Sequence, residues 1–342
     1  MKRLVSWLAA ILVVFSLVGC SSSTTSGTSD GKEKEKDKKL TTVSVGYMPN
    51  YASLNSIVAG MKTGTFKEQG IEVKLVEFAD GPTIIAALES GSIDVGYIGP
   101  GAHVLPIQGQ AEIFAFSQLG NADEVIGNVK KGVKTIQDLK GKTIAVATGT
   151  SSEQILTLTL AEAGLTTKDV KLMNMDASAI VTAMISGSVD AVATWSPNTN
   201  AIKKEMGDDV VMLSNNKRYA DKSPSIASWV VKPGYADQNK DLLEKFTRGL
   251  FKGMDYRTDH LDEVAKWVAE EIAVDPKSVL DQTGDGEWIT TAELVKRIDD
   301  GTLEAYYQKQ QENFVEAGRL KKEEMRPVSE YVLFDNMKKA AQ

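Results

Sequence analysis

The sequence predicts an α/β protein built as two lobes of similar topology. Three observations carry that expectation: an internal repeat, an alternation of short apolar strands with helices inside each copy, and a helical C-terminal third. The repeat is plainest where "VKLVEFADGPTIIAALESGSIDVGYIGPG" from Val73 is set against "VKLMNMDASAIVTAMISGSVDAVATWSPN" from Val170. Both open Val-Lys-Leu, pass through a polar turn into an apolar helix, and reach a Ser-Gly-Ser-x-Asp unit. Those units are Ser90 to Asp94 and Ser186 to Asp190. Two copies are too few for a solenoid. Strands alternating with helices imply βαβ units and parallel sheets.

In chain order, the first segment stands outside the fold. "MKRLVSWLAAILVVFSLVGC" places Lys2 and Arg3 before an apolar run. That run is shorter than the ~20 residues a membrane-spanning helix needs, so residues 1–19 read as a cleaved export signal. The run ends in "LVGC", which resembles a bacterial lipobox. Cys20 is the only cysteine of the 342 residues, so no intramolecular disulfide forms and its expected role is lipidation. Two or more acyl chains there would anchor the protein to the membrane. The following "SSSTTSGTSDGKEKEKDKKL" has almost no apolar side chains, and residues 20–40 read as the lipidated cysteine and a disordered tether.

The body divides, on this reading, into lobe I (41–120 and 226–342) and lobe II (121–225). Apolar stretches at 111–129 and 223–231 would cross between lobes as a two-strand hinge. The C-terminal stretches "KDLLEKFTRGLFKGMDYRT" and "LDEVAKWVAEEIA" have helical apolar spacing and are expected to pack on lobe I.

Composition excludes several functions. The formal charge of −7 becomes −9 once Lys2 and Arg3 are removed, so no basic footprint for nucleic acid exists. With two histidines, His103 and His260, and no Cys/His cluster, no metal site is expected and no cofactor is implied.

Ligands of open α/β sheets bind beyond the carboxyl ends of the strands. Those ends are the turns holding Tyr47, Asn50 and Tyr51, then Gly99 and Pro100, then Gly149, Thr150, Ser151 and Ser152, and finally Trp195. In "ATGTSSEQIL" a helix opens on small residues, where free amides and two hydroxyls suit a small anion. Thr150 and Glu153 also fit a capping box, and Glu153 is open to a second role, as partner of a ligand ammonium. Asn50 also fits a helix cap, and Trp195 also fits a core position. Trp229 reads as hinge packing, and His103 as a surface or helix-packing residue.

Residues 132–197, with "DLKGKTIAV", "AGLTTKDV", "SGSVDA" and a Trp-x-Pro, resemble the ABC-transporter solute-binding proteins for nitrate, aliphatic sulfonates and taurine. The first lobe's "GTFKEQGIEVKL" and "ALESGSIDVGYIGPG" fit as well. The resemblance implies a periplasmic binding protein type II fold that closes on one small solute and delivers it to an ABC permease and ATPase complex. Carried over by position, Gly149 to Ser152 would hold the oxyanion of a sulfonate or taurine-like solute, and Trp195 would line the cleft. Tyr47 to Tyr51 and Gly99 to Gly101 would close it. Members often carry an acidic residue where this chain has Ser196, and Ala-His where it has Glu153-Gln154, so the ligand end departs from the pattern. Nitrate, a carboxylate, an amino acid or a pyrimidine precursor stays open as the solute. The expected protein is a monomeric, membrane-anchored, extracytoplasmic receptor without enzymatic activity; an enzyme or a tethered sensor on this scaffold is the alternative.

Overall fold

The computed structural model describes residues 39–342. The expected signal peptide, Cys20 and the tether as far as residue 38 lie outside the described residues. The strands run β1 (Thr41–Tyr47), β2 (Ile71–Glu77), β3 (Val95–Ile98), β4 (Glu112–Gly120), β5 (Asp123–Asn128), β6 (Thr143–Val146), β7 (Lys171–Asn174), β8 (Ala191–Trp195), β9 (Val210–Asn215), β10 (Ile226–Val231) and β11 (Gly286–Glu287). One sheet has the order β11-β4-β10-β3-β1-β2 and the other β7-β6-β8-β5-β9. Within the first, β1 is parallel to β2 and β3, and β10 runs antiparallel to β3. The second repeats this: β6 is parallel to β7 and β8, and β5 runs antiparallel to β8. The internal repeat is therefore a repeat of topology.

The Ser-Gly-Ser-x-Asp units do the same structural work in both sheets. Asp94 accepts the Ser44 N–H at 2.7 Å through its carboxylate and donates its own N–H to the Ser44 carbonyl at 2.9 Å. Asp190 makes the matching pair with Thr143, at 2.8 and 2.9 Å. Each aspartate thus pins the entry of one strand to the start of its parallel neighbour. Burial follows the pleat, because successive side chains of a strand face opposite sides. In the second sheet Ile126, Ala145 and Val192 face one core, while Val125, Ile144 and Ala193 face the other with Leu156 and Leu160.

The chain passes between sheets twice. The first passage is short, through Asn121 and Ala122, from β4 to β5. The return runs through residues 216–225, so of the stretch expected to cross at 223–231 residues 223–225 belong to the passage and the rest forms β10, inside the first sheet. The two passages are bonded side by side. Gly120 donates its N–H to the Ser225 carbonyl at 2.6 Å. The Asn216 side chain accepts the Asp123 N–H at 2.7 Å and donates to the Ser225 hydroxyl at 3.3 Å.

The C-terminal helices cover the first sheet. Lys240–Asp259 buries Phe246, Leu250 and Met254 and lies directly on the helix Tyr51–Thr63. Their backbones approach so closely that a Cβ at Gly253 would sit 2.1 Å from the Ser56 carbonyl oxygen and 2.8 Å from the Gly60 nitrogen. Backbone atoms cannot rotate away, so a methyl there forces the helices apart. Gly253→Ala is expected to cost about 3 kcal/mol, the upper part of the range for overpacked cores. Urea denaturation measures it, and a change within error would show that the helix pair has slack.

Candidate functional site

The carboxyl ends of β1, β3 and β8 converge on a cavity between the sheets, roofed by the start of the helix Ser151–Glu162. Its volume is about 60 Å³. One water needs a cavity of roughly 10–15 Å³, so the space suits a small organic molecule. Met48, Tyr97, Trp195 and Ala227 give it apolar walls, and Asn50, Gln118 and Gln282 add amides.

Of the residues expected from the sequence, Asn50, Gly99, Pro100, Thr150, Ser151 and Trp195 line this cavity. Asn50 also caps its helix, accepting the Ser53 N–H at 2.9 Å. Tyr47, Tyr51, Gly149 and Ser152 do not line it, each for a local reason. Tyr47 turns its hydroxyl to Glu77, at 3.3 Å. Tyr51 is fully buried edge-on against Trp288, and its N–H goes to Gln282 at 2.9 Å. Gly149 gives its N–H to the Glu153 carboxylate at 2.9 Å. Ser152 is fully buried, its hydroxyl bonded to the Ala147 carbonyl and N–H, both at 3.1 Å.

The start of the helix is thus largely self-capped. The Thr150 hydroxyl accepts the Ser152 N–H at 3.2 Å and donates to the Ala147 carbonyl at 2.6 Å. Glu153 adds an ion pair with Arg319 at 3.3 Å, so its partners are the Gly149 amide and a protein cation. Of the two adjacent serines, only Ser151 lines the cavity.

Sequence reasoning missed the charged residues. Asp123 opens β5 at the end of the first passage and Asp285 immediately precedes β11; both line the cavity. Neither sits in a motif, and they are far apart in the chain. Asp123 is 4% exposed. Burial pushes its carboxyl up to about 6, against the Ser151 and Asn216 side chains, which favour the charged form. Burial also raises Asp285 to about 6, with Ser196 opposing. Glu124 adds like charge to both, and Lys203, which favours the charged form of Asp285, is paired to Glu124 at 2.9 Å. No Lys, Arg or His is among the described residues lining the cavity.

His103 is neither at the surface nor in the cavity. Its ring is buried, with Nδ1 at 3.1 Å from the Gly99 carbonyl and Nε2 at 2.9 Å from the Ser228 hydroxyl. Burial lowers its pKa to about 4, so the imidazole is neutral at ordinary pH. Trp229 lies in β10 against Tyr97, in the core of the first sheet.

The two halves touch over the cavity. A Cβ at Gly101 would lie 2.0 Å from the Thr150 carbonyl carbon and oxygen and 2.4 Å from the Ser151 nitrogen. Arg319 spans the seam, donating to the Gly101 carbonyl at 2.8 Å while paired to Glu153. Asn313 adds a bond across it, donating to the Lys222 carbonyl at 3.1 Å.

Known proteins share the fold. The NMT1/THI5-like family profile matches residues 52–264. A protein of Brucella abortus (strain 2308), provisionally named a binding protein, is 32% identical over 82% of this chain and 86% of its own length. The taurine-binding periplasmic protein of Escherichia coli (strain K12) is 29% identical over 53% of this chain and 56% of its own. Among solved structures, the alkanesulfonate-binding protein SsuA from Xanthomonas axonopodis pv. citri, bound to MOPS, superposes with a TM-score of 0.64. That match has 20% identity and covers 85% of this chain and 97% of SsuA. The desulfurization enzyme DSZB superposes equally well, at 0.64, with 16% identity over 87% of this chain and 98% of its own. At such identities the likeness is one of fold: this is the periplasmic-binding-protein architecture.

The cavity electrostatics set a pH dependence. Asp123 titrates near 6 in the folded chain against 3.8 ordinarily, so between those values the folded chain holds a proton the unfolded chain has lost. Stability therefore falls as pH rises through that window. Asp123→Asn removes its share of the fall, on the order of 3 kcal/mol. Urea denaturation of ligand-free protein should find the variant more stable than the parent at pH 7.5 and equal to it near pH 4. Equal stability at both would show that the carboxylate is solvated.

Proposed function

The chain belongs to the NMT1/THI5-like family, and on that footing we propose that it is the extracytoplasmic solute-binding component of an ABC importer, closing two lobes over one small organic solute. The lobes are 41–120 with 226–342, and 121–225. The observation that carries this reading is the cavity itself, walled by strand ends of both sheets and roofed by a backbone contact between them. A receptor needs a closed state favoured by contacts that both halves make with the guest, and two bonded passages supply the pivot. Both walls come from one chain, so a monomer suffices. The taurine and alkanesulfonate ligands in the names of its relatives support an organic solute of this size. They support a sulfonate less well, because among the described residues lining this cavity the only charged ones, Asp123 and Asp285, are acidic.

An enzyme on the same fold is the competing reading, since fold does not determine function. A nucleophile beside a base would be required. The histidine near the cavity is spent on Gly99 and Ser228, which favours binding over turnover. The tether and a lipid on Cys20 would hold the receptor beside its permease and ATPase.

Three measurements test the reading. Protein recovered from its own host's membranes should release one small organic solute on denaturation, in near-equimolar amount by mass spectrometry; no solute, or one the protein converts on incubation, sinks it. Cys20→Ser should move the protein from the membrane to the soluble fraction, and retention in the membrane would refute the anchor. Gly101→Val props the seam open, so its radius of gyration by X-ray scattering should exceed that of the solute-loaded parent. Identical scattering would mean that closure does not pass through this contact.

A further inference from the structure

We propose that the solute presents a cationic nitrogen group to Asp123 and Asp285, on an apolar body that lies against Trp195 and Tyr97. This rests on the receptor reading of the same cavity and adds the charge class of its guest.

The argument starts from orphaned oxygens. Asp123 is 4% exposed, lines the cavity, and has its Oδ1 buried without a donor. Asp285, whose carbonyl accepts the Asn121 N–H of the first passage at 2.7 Å, lines the same cavity with its Oδ2 buried and equally unpartnered. Buried carboxylates are ordinarily paired or hydrogen-bonded, because leaving them bare is costly. Within the protein the compensation is incomplete. Asn216 spends its carbonyl oxygen on the Asp123 N–H, and Lys203 is bonded to Glu124. A protonated amine or amidine supplies the missing donors and opposite charge together, and such charge-assisted bonds are the strong ones.

The remaining wall fits the rest of such a molecule. Trp195 and Tyr97 give aromatic surface beside the acids, suited to an apolar body and to a cation near a ring face. Met48 and Ala227 extend it. The same charges exclude the opposite guest. Ser151, the one serine of the helix start that lines the cavity, has Asp123 as its neighbour, so an oxyanion there would meet a carboxylate. Selection by an unfavourable charge is as effective as selection by a favourable one.

The test uses the full chain, extracted in detergent from its host's membranes, with the released solute identified by mass spectrometry. The solute should carry a nitrogen protonated at neutral pH. Its yield from Asp123→Asn and from Asp285→Asn should fall at least about tenfold, as expected for loss of a charged hydrogen bond. Both variants should melt no lower than the parent at pH 7.5, which separates lost binding from lost folding. A solute without such a nitrogen, or an unchanged yield in both variants, overturns the inference and leaves the receptor reading standing. Recovery of no solute from the parent sinks the two together. A second arm compares benzylamine with benzenesulfonate, two probes of one ring and opposite charge. The amine should raise the melting temperature of the full chain and the sulfonate should not; any other order overturns the inference.

Discussion

An incompletely compensated carboxylate at the crossing between the sheets is the constraint on which the site depends. Asp123 stands where the chain leaves one sheet for the other, its amide tied to Asn216 and its side chain turned into the cavity. Desolvating a charge there opposes folding. The chain tolerates it because the surrounding scaffold is over-determined: two bonded passages, parallel strands pinned by Asp94 and Asp190, and a helix pair in backbone contact. Stability is given up at the cavity and recovered in the frame, a distribution expected of a functional site.

That division explains what was legible in the sequence. Strand and helix alternation, the doubled Ser-Gly-Ser-x-Asp unit and the C-terminal helices follow from local periodicity, and all appear in the structure. The repeat could be read because each copy makes the same local bonds, Asp94 to Ser44 and Asp190 to Thr143. Six of the ten expected cavity residues line it, because strand ends in such sheets face a common opening.

The failures have one cause. Which way a side chain points at a strand end depends on partners distant in sequence. Tyr51 is taken by Trp288 and Gln282, and Ser152 turns back to Ala147, so neither reaches the cavity. Glu153 could be assigned as a cap from its spacing, but its pairing with Arg319 could not. Asp123 and Asp285 are opaque for the same reason in reverse. Nothing beside either in the chain marks it, and the pairing of β11 with β4, with the Asn121 N–H bonded to the Asp285 carbonyl, brings the two to one cavity. The charge of the site, the property that matters most for its guest, was thus the least readable.

At the rim, Gly101 meets the Thr150–Ser151 peptide backbone to backbone. Side chains flex, but a peptide plane pressed on another has no cushion. On the proposed receptor reading, this contact would make the shut position a hard stop, and an oversized guest would leave the rim ajar instead of swelling the chamber. Fit inside the molecule would in this way be converted into a gap on its outside, where the permease of that reading could sense it without touching the cargo.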